Sequence, residues 1–152
     1  MKTTWWRWRR AANLANGSTL LGLALARLAG TSRSPGPRGL VLAGRARLLL
    51  PGASAVTVGD VVLTRHPASW LLERPRLLAH EERHAWQYAA CLGLPMLPAY
   101  GVFAAWSWLR TGNPGSRNPF ERLAGLADGG YPELSRRPRR RAPGRPRPGR
   151  AV

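Results

Sequence analysis

Two histidines stand four residues apart, and a glutamate directly follows the first: residues 80–84 read His-Glu-Glu-Arg-His. On a helix with about 3.6 residues per turn, residues i and i+4 share one face, so the imidazoles of His80 and His84 can reach one Zn²⁺. Glu81 then lies beside them, where a carboxylate can take a proton from water. The pattern therefore predicts an HExxH zinc site with His80 and His84 as ligands and Glu81 as the base.

The same five residues also allow a simpler interpretation, a charged and solvent-exposed helix face. Glu82 and Arg83 are typical of such a surface. However, the flanking residues 77–79 and 85–86 are Leu-Leu-Ala and Ala-Trp, which indicates a largely buried helix. Because two buried imidazoles without a ligand would be costly, the metal site is favoured.

A catalytic zinc needs a third protein ligand and an open position for water. The lone Cys91 excludes a disulfide framework or a cysteine-based zinc ribbon within the chain. The remaining candidates lie outside the HEERH helix: Asp60, Glu73, Glu121, Asp128, Glu133 and His66. Glu121 stands out because residues 118–121, Asn-Pro-Phe-Glu, predict the start of a further helix that continues over 122–128 and can pack on the HEERH helix. The same four residues spell a capping box, which needs no metal, so both roles of Glu121 stay open here.

Short strands are expected before the HEERH helix. Between residues 39 and 65, β-branched or Leu-rich runs are separated by turn residues, namely Gly44, Pro51-Gly52 and Gly59-Asp60. Gly59-Asp60 either turns a hairpin or forms a bulge in one bent strand over 54–64, and the bent strand is slightly favoured. We expect a small antiparallel sheet.

The chain after Pro67 has a helical pattern. Pro75 is suited to the first turn of a helix that runs to about Leu92, where Gly93 and Pro95 stop it. Residues 85–109 carry no formal charge, and an uncharged stretch of this length is sufficient for a membrane span. Since glycine and proline interrupt this stretch, two buried helices are predicted instead, the second over about 96–109. The fold class expected is α+β.

Three segments together carry a resemblance to a known family: residues 55–65 (AVTVGDVVLTR), 77–87 (LLAHEERHAWQ) and 118–124 (NPFERLA). They resemble the uncharacterised HExxH metallopeptidase-like domain found in extracellular contractile injection system loci and in many stand-alone bacterial proteins. That family has a Thr-x-Gly strand, a Leu-Leu-x-His-Glu-x-x-His helix followed by Gln, and a later Glu-x-x-Ala helix. The resemblance covers about residues 54–128. The chain differs in Tyr88, where the family has a second Gln, and in the apolar insertion 91–109.

The resemblance implies a minimal gluzincin-like zincin with a strand alongside the active-site helix. It carries the ligands over to His80 and His84, the base to Glu81 and the third ligand to Glu121. The function expected is zinc-dependent hydrolysis of peptide bonds in an unknown peptide or protein substrate.

Three further residues are candidates for supporting roles. Gln87 and Asn118 are suited to orienting the ligands. Tyr131, which follows Gly129-Gly130, can donate to the oxyanion, although an ordinary turn tyrosine is the simpler interpretation.

Charge and composition divide the chain into three parts: 1–30, 31–134 and 135–152. The net charge is +17, from 24 basic and 7 acidic residues, and residues 135–152 alone contribute eight Arg and no acid. This Pro/Arg-rich tail is predicted to be disordered, and it is either a solvated tail or an arm for anionic lipid or nucleic acid. A basic protein of the membrane surface or of nucleic acid, with structural zinc or no metal, is therefore the alternative function.

The first thirty residues combine a Trp/Arg-rich start with an apolar helix. A secretion signal is disfavoured because Arg27 interrupts the apolar stretch and no clear cleavage site follows. An amphipathic helix is expected, either at a membrane interface or folded over the core. The expected location is cytoplasmic or membrane-associated.

Overall fold

Six α-helices and a four-stranded sheet make up the part of the chain that the computed structural model describes, residues 4–134; the predicted tail, 135–152, lies outside it. The helices are α1 (Trp5–Ala15), α2 (Ser18–Leu28), α3 (Ala68–Leu72), α4 (Pro75–Ala90), α5 (Met96–Thr111) and α6 (Pro119–Ala124). The strands are β1 (Ser32–Pro35), β2 (Val41–Gly44), β3 (Val56–Val58) and β4 (Val61–Leu63). The α+β class is confirmed.

The sheet is mixed, so the prediction of an antiparallel sheet is wrong. The strand order is β1-β2-β4-β3, and β2 pairs with β4 in parallel while the two outer pairs are antiparallel. All three residues of β4 are buried. Because β4 is apolar on both faces, it is suited to its central place between β2 and β3, where it runs parallel to β2.

Gly59 and Asp60 form a two-residue hairpin between β3 and β4, with Val58 paired to Val61. The slightly favoured bent strand is therefore wrong. Gly59 has φ +61°, and a Cβ there would lie 2.4 Å from the backbone nitrogen of Thr19. Only glycine fits both the turn and this close approach to α2.

Helices cover both faces of the sheet. On one face, α2 packs through Ala26 against Ala43, Val61 and Leu63. On the other face, α3 and α4 pack against the alternate strand residues, in a cluster of Leu40, Leu42, Val62, Leu71, Leu78 and Ala85. This second layer fixes α4, the HEERH helix, against the sheet.

The N-terminal helix α1 folds over α4, which was one of the two expected placements. The Arg9 side chain is completely buried: its guanidinium donates to Asp60 Oδ1 at 2.7 Å, to Glu82 Oε1 at 2.8 Å and to the Arg38 carbonyl at 2.7 Å. Glu82 of the HEERH motif is therefore bound by α1 and is not part of a free charged surface.

The uncharged stretch forms two helices, as predicted, because α4 ends at Ala90 and α5 begins at Met96. Pro75 occupies the first turn of α4 as expected. The prediction that the second helix is buried is wrong, since only Met96, Ser107 and Thr111 of α5 are buried. Among residues 4–134, none of the helices has both the length and the apolar character needed to cross a membrane.

Candidate metal centre

Three side-chain atoms from two helices converge at one point. His80 Nε2 and His84 Nε2 on α4 are 3.0 Å apart, and Glu121 Oε2 on α6 lies 3.1 Å from the first and 3.5 Å from the second. All three residues are buried. Ligand atoms bound about 2.1 Å from a tetrahedral zinc lie about 3.4 Å apart, so the observed spacing of 3.0–3.5 Å is close to what such an ion requires.

The main chain sets the tautomer of His80. Its Nδ1 lies 3.0 Å from the carbonyl oxygen of Gly125. Because a carbonyl only accepts, Nδ1 carries the hydrogen, and the neutral ring therefore keeps a lone pair on Nε2. A Cβ on Gly129 would lie 2.4 Å from His80 Cε1, so the glycine leaves room for the ring.

Gln87 sets the tautomer of His84 in the same way. The Gln87 amide nitrogen donates to the Phe120 carbonyl at 2.8 Å, which turns its Oε1 toward His84. His84 Nδ1 donates to that oxygen at 2.8 Å and leaves the Nε2 lone pair facing His80. The expected orienting role of Gln87 thus has a direct geometric basis.

The two roles left open for Glu121 are separated by the geometry. The backbone N–H that a capping-box glutamate would bind belongs to Asn118, and it donates instead to Gly115 at 3.0 Å. Asn118 itself caps α6, accepting from the backbone nitrogen of Phe120 at 3.0 Å. The Asn118 side chain therefore caps α6 instead of orienting a zinc ligand. The helix that it starts ends at Ala124, so the predicted continuation over 122–128 is wrong.

Each oxygen of the Glu121 carboxylate has a different environment. Oε1 accepts a hydrogen bond from the Tyr100 hydroxyl. Oε2, which faces the two imidazoles, is buried without a hydrogen-bond partner among the described residues. A buried carboxylate oxygen without a donor is costly, and a cation at this point would satisfy it.

The protonation equilibria also favour a positive charge at this point. Burial opposes the charged form of His84, but the carboxylates of Glu121 and Glu81 outweigh it and raise its pKa. Burial likewise opposes ionisation of Glu121, yet the two neighbouring imidazoles and the hydrogen bond from Tyr100 outweigh it and lower its pKa to about 2. Two nitrogen donors and one carboxylate oxygen form a set typical of Zn²⁺, so the residues present fit this ion.

Glu81 lies beside the cluster and is also buried. Burial raises the pKa of its carboxyl. Thr57 on β3 donates to Glu81 Oε2 at 2.6 Å, which fixes the orientation of the carboxylate. A carboxylate with a raised pKa and a fixed orientation is suited to accept a proton near neutral pH.

A cavity of about 360 Å³ opens onto these groups. The residues that line it come from α4, α6, β3, the loop before β3, the start of α5, the loop after α5 and the segment at 129–131. Tyr100 and Tyr131 both line it; burial raises the pKa of Tyr131 to about 12 and moves that of Tyr100 upward as well. Both phenols therefore keep their protons at neutral pH; the hydrogen of Tyr100 is used in its bond to Glu121, whereas Tyr131 can donate to a ligand in the cavity.

The other candidate ligands have different partners. Asp60 binds Arg9, Asp128 lies 3.0 Å from Arg83, and the ring of His66 stacks on Trp70 at 4.1 Å. The side chains of Glu73 and Glu133 are largely exposed. None of these five belongs to the cluster of His80, His84 and Glu121.

Sequence reasoning assigned no role to two residues of the site. For Thr57, the sequence offered only the Thr-x-Gly strand of the family resemblance, which does not predict a hydrogen bond to Glu81. Tyr100 was an aromatic residue in an apolar helix and had no signal at all, because its contact with Glu121 depends on how α5 crosses α6.

Comparison with known proteins adds no relatives: the chain matches no protein-family model, no curated protein and no solved structure at a significant level.

Proposed function

We propose that this protein is a zinc-dependent metallopeptidase-like hydrolase, a minimal gluzincin-like zincin of the kind that its sequence resembles. The observation that carries the proposal is the convergence of two imidazole lone pairs and an unpartnered carboxylate oxygen beside the buried Glu81. The cavity next to them supplies space for a substrate.

His80, His84 and Glu121 would hold the zinc ion. When bound, zinc supplies a Lewis acid that polarises a carbonyl group and lowers the pKa of a water molecule. Gly125 and Gln87 hold the two imidazoles in the tautomer that ligation requires. Tyr100 holds the second carboxylate oxygen and leaves the first directed at the ion.

Glu81 would act as the general base. It accepts the proton of the attacking water and passes it to the leaving amine as the peptide bond breaks. The Thr57 hydroxyl keeps the carboxylate in place during both transfers. Tyr131, whose hydroxyl stays protonated, can donate a hydrogen bond to the carbonyl oxygen as negative charge develops on it.

The alternative of a purely structural zinc is less well supported. Structural sites are closed by four protein ligands, whereas catalytic sites use three and keep one position open. Here the cluster contains three donors and borders a cavity. The basic tail on which a nucleic-acid role would depend lies outside the described residues.

Zinc analysis combined with hydrolysis of a broad peptide library tests the proposal. Wild-type protein should contain about one zinc per chain and cleave a subset of peptides. Glu81→Gln should keep the zinc and lose the cleavage, because Glu81 is not a ligand. The matched control is Glu73→Gln, an exposed carboxylate away from the cavity, which should keep both.

A second pair of variants isolates metal binding. The double substitution of His80 and His84 by Ala should abolish zinc binding, whereas His66→Ala, at an exposed histidine, should not. Equal zinc content in all three proteins would contradict the metal centre. Full cleavage by Glu81→Gln would contradict its role as the base.

A further inference from the structure

Helix α5 has an apolar outer surface. Six of its large hydrophobic side chains are exposed, and we call them the α5 apolar face: Leu97, Val102, Phe103, Trp106, Trp108 and Leu109. Val102 and Leu109 are 67% and 66% exposed. Leaving six large apolar side chains of one helix in water is unfavourable and marks a surface for interaction.

The inner side of α5 explains why the apolar residues point outward. Its contacts with the rest of the molecule include two buried hydroxyl residues, Ser107 and Thr111. Ser107 Oγ donates to the Asn113 carbonyl at 2.7 Å and accepts from the Arg117 backbone nitrogen at 2.8 Å. These bonds anchor the side of α5 that carries Ser107 and Thr111 to the loop after the helix. The apolar side of α5 therefore faces away from the protein.

The charges around α5 select the kind of partner. No acidic residue occurs between Glu82 and Glu121, whereas Arg110 is exposed at the end of the helix and the Arg117 guanidinium lies 5.6 Å from the ring of Trp106. The whole chain carries +17. A second copy would bring the same large charge and be repelled, so an anionic partner is favoured.

The chemistry of the face favours a lipid surface over an acidic protein. Protein interfaces form about one hydrogen bond per 100–200 Å², but the six side chains of this face are all aliphatic or aromatic and include no carboxylate, amide or hydroxyl group. Tryptophan next to arginine is typical of helices at the level of lipid headgroups. With sixteen residues, α5 is about 24 Å long and suited to lie in the plane of one leaflet.

We propose that α5 is an interfacial helix that docks this protein on an anionic membrane, with the α5 apolar face inserted at the boundary between headgroups and acyl chains. The exposed Arg110 contacts the anionic headgroups. This docking goes beyond the proposed hydrolase function and needs neither zinc nor Glu81.

The position of α5 also links the membrane to the candidate metal centre. Met96, Leu97 and Tyr100 line the cavity, and Leu97 belongs to the α5 apolar face as well. Docking therefore brings the start of α5, which forms one wall of the cavity, to the membrane surface. If the proposed hydrolase function holds, the substrate class is a peptide segment close to the membrane.

Flotation of the full chain with vesicles of equal parts phosphatidylcholine and phosphatidylglycerol tests the docking. Val102→Glu combined with Leu109→Glu should weaken vesicle binding by roughly ten- to hundredfold, because most of the apolar burial is lost and the charge attraction is slightly reduced. The matched control is Leu20→Glu with Leu28→Glu, two exposed residues of α2 with the same change in charge. The control variant should lose only the small part of vesicle binding that comes from electrostatic attraction.

Three outcomes would overturn the proposal. Wild-type protein that does not float with the vesicles refutes it directly. Equal losses in the two double variants would assign binding to net charge, including that of the tail. A wild-type dimer that the α5 variant converts to a monomer would show that a second copy covers the face.

Glu81→Gln should float like wild type, so failure of docking and failure of hydrolysis can be told apart. Thermal melts without vesicles check that every variant folds.

Discussion

Helices α4 and α5 follow one another in the chain and have the same length, sixteen residues, yet their relation to solvent is opposite. In α4, the polar residues His80, Glu81 and His84 are buried. In α5, apolar side chains such as Val102 and Leu109 are exposed. The more hydrophobic of two neighbouring helices is thus the less buried.

The difference shows what burial of each kind of residue requires. A buried polar group needs a specific partner in a specific place, because an unsatisfied one costs free energy. In α4, Gly125 supplies a partner for His80, Thr57 for Glu81 and Arg9 for Glu82. An apolar face needs only another apolar medium, which need not belong to the same chain. Four substitutions test the contrast.

The largest effect is expected from removing Arg9. Arg9→Ala leaves buried Asp60 without its cation and part-buried Glu82 with Arg38 alone, and breaking a buried ion pair typically costs about 3–5 kcal/mol. The free energy of unfolding from urea titration measures this loss. Arg10→Ala, at the exposed neighbouring position, should change it by less than about 0.5 kcal/mol. Equal effects in the two variants would show that α1 does not hold α4 in place.

Glu121→Gln is expected to have the next largest effect, on zinc affinity. A neutral amide is a much poorer donor than a carboxylate, so affinity should fall by roughly a hundredfold or more. Stability of the metal-free protein should fall by less than in Arg9→Ala, because the amide oxygen can still accept from Tyr100. Zinc titrations and metal-free melting curves measure the two quantities, with the exposed Glu133→Gln as control. Unchanged affinity would remove Glu121 from the ligand set.

Gln87→Ala should weaken zinc binding more moderately, by about 10- to 100-fold, because His84 loses the acceptor that fixes its tautomer. Gln87→Glu retains an acceptor and should recover most of the affinity. Competition with a chromogenic chelator measures both values. If Gln87→Glu recovers no zinc affinity, the Gln87 amide contributes through its hydrogen bond to the Phe120 carbonyl instead.

The smallest effect is expected on α5. Val102→Glu should change the free energy of unfolding in vesicle-free buffer by no more than about 0.5 kcal/mol, because the side chain is largely exposed. The same substitution at buried Val62 on β4 should unfold or severely destabilise the protein. A large loss at Val102 would mean that its face is covered by protein in solution and would remove the contrast with α4.

The features that could be read from the sequence are local ones. The start of α4 at Pro75, the cap at Asn118 and the break between α4 and α5 all follow from turn and capping chemistry within a few residues. The placement of His80 and His84 on one helical face follows from their spacing alone. The strand order could not be read from the sequence. The pairing of β2 with β4 depends on which strand is apolar on both faces and on the path of the chain between the two strands.

By itself, then, the sequence determined the pair of imidazoles, the glutamate beside them and the helix that carries all three. Only the tertiary structure decided that Glu121 faces the imidazoles rather than its own helix terminus, that Arg9 reaches across to Glu82, and that α5 turns its apolar face outward. The physical reason is the range of the interactions. Helical spacing and capping act over one turn, whereas the partner of a buried charge or an apolar face is set by segments that lie far apart in the chain and meet only when it folds.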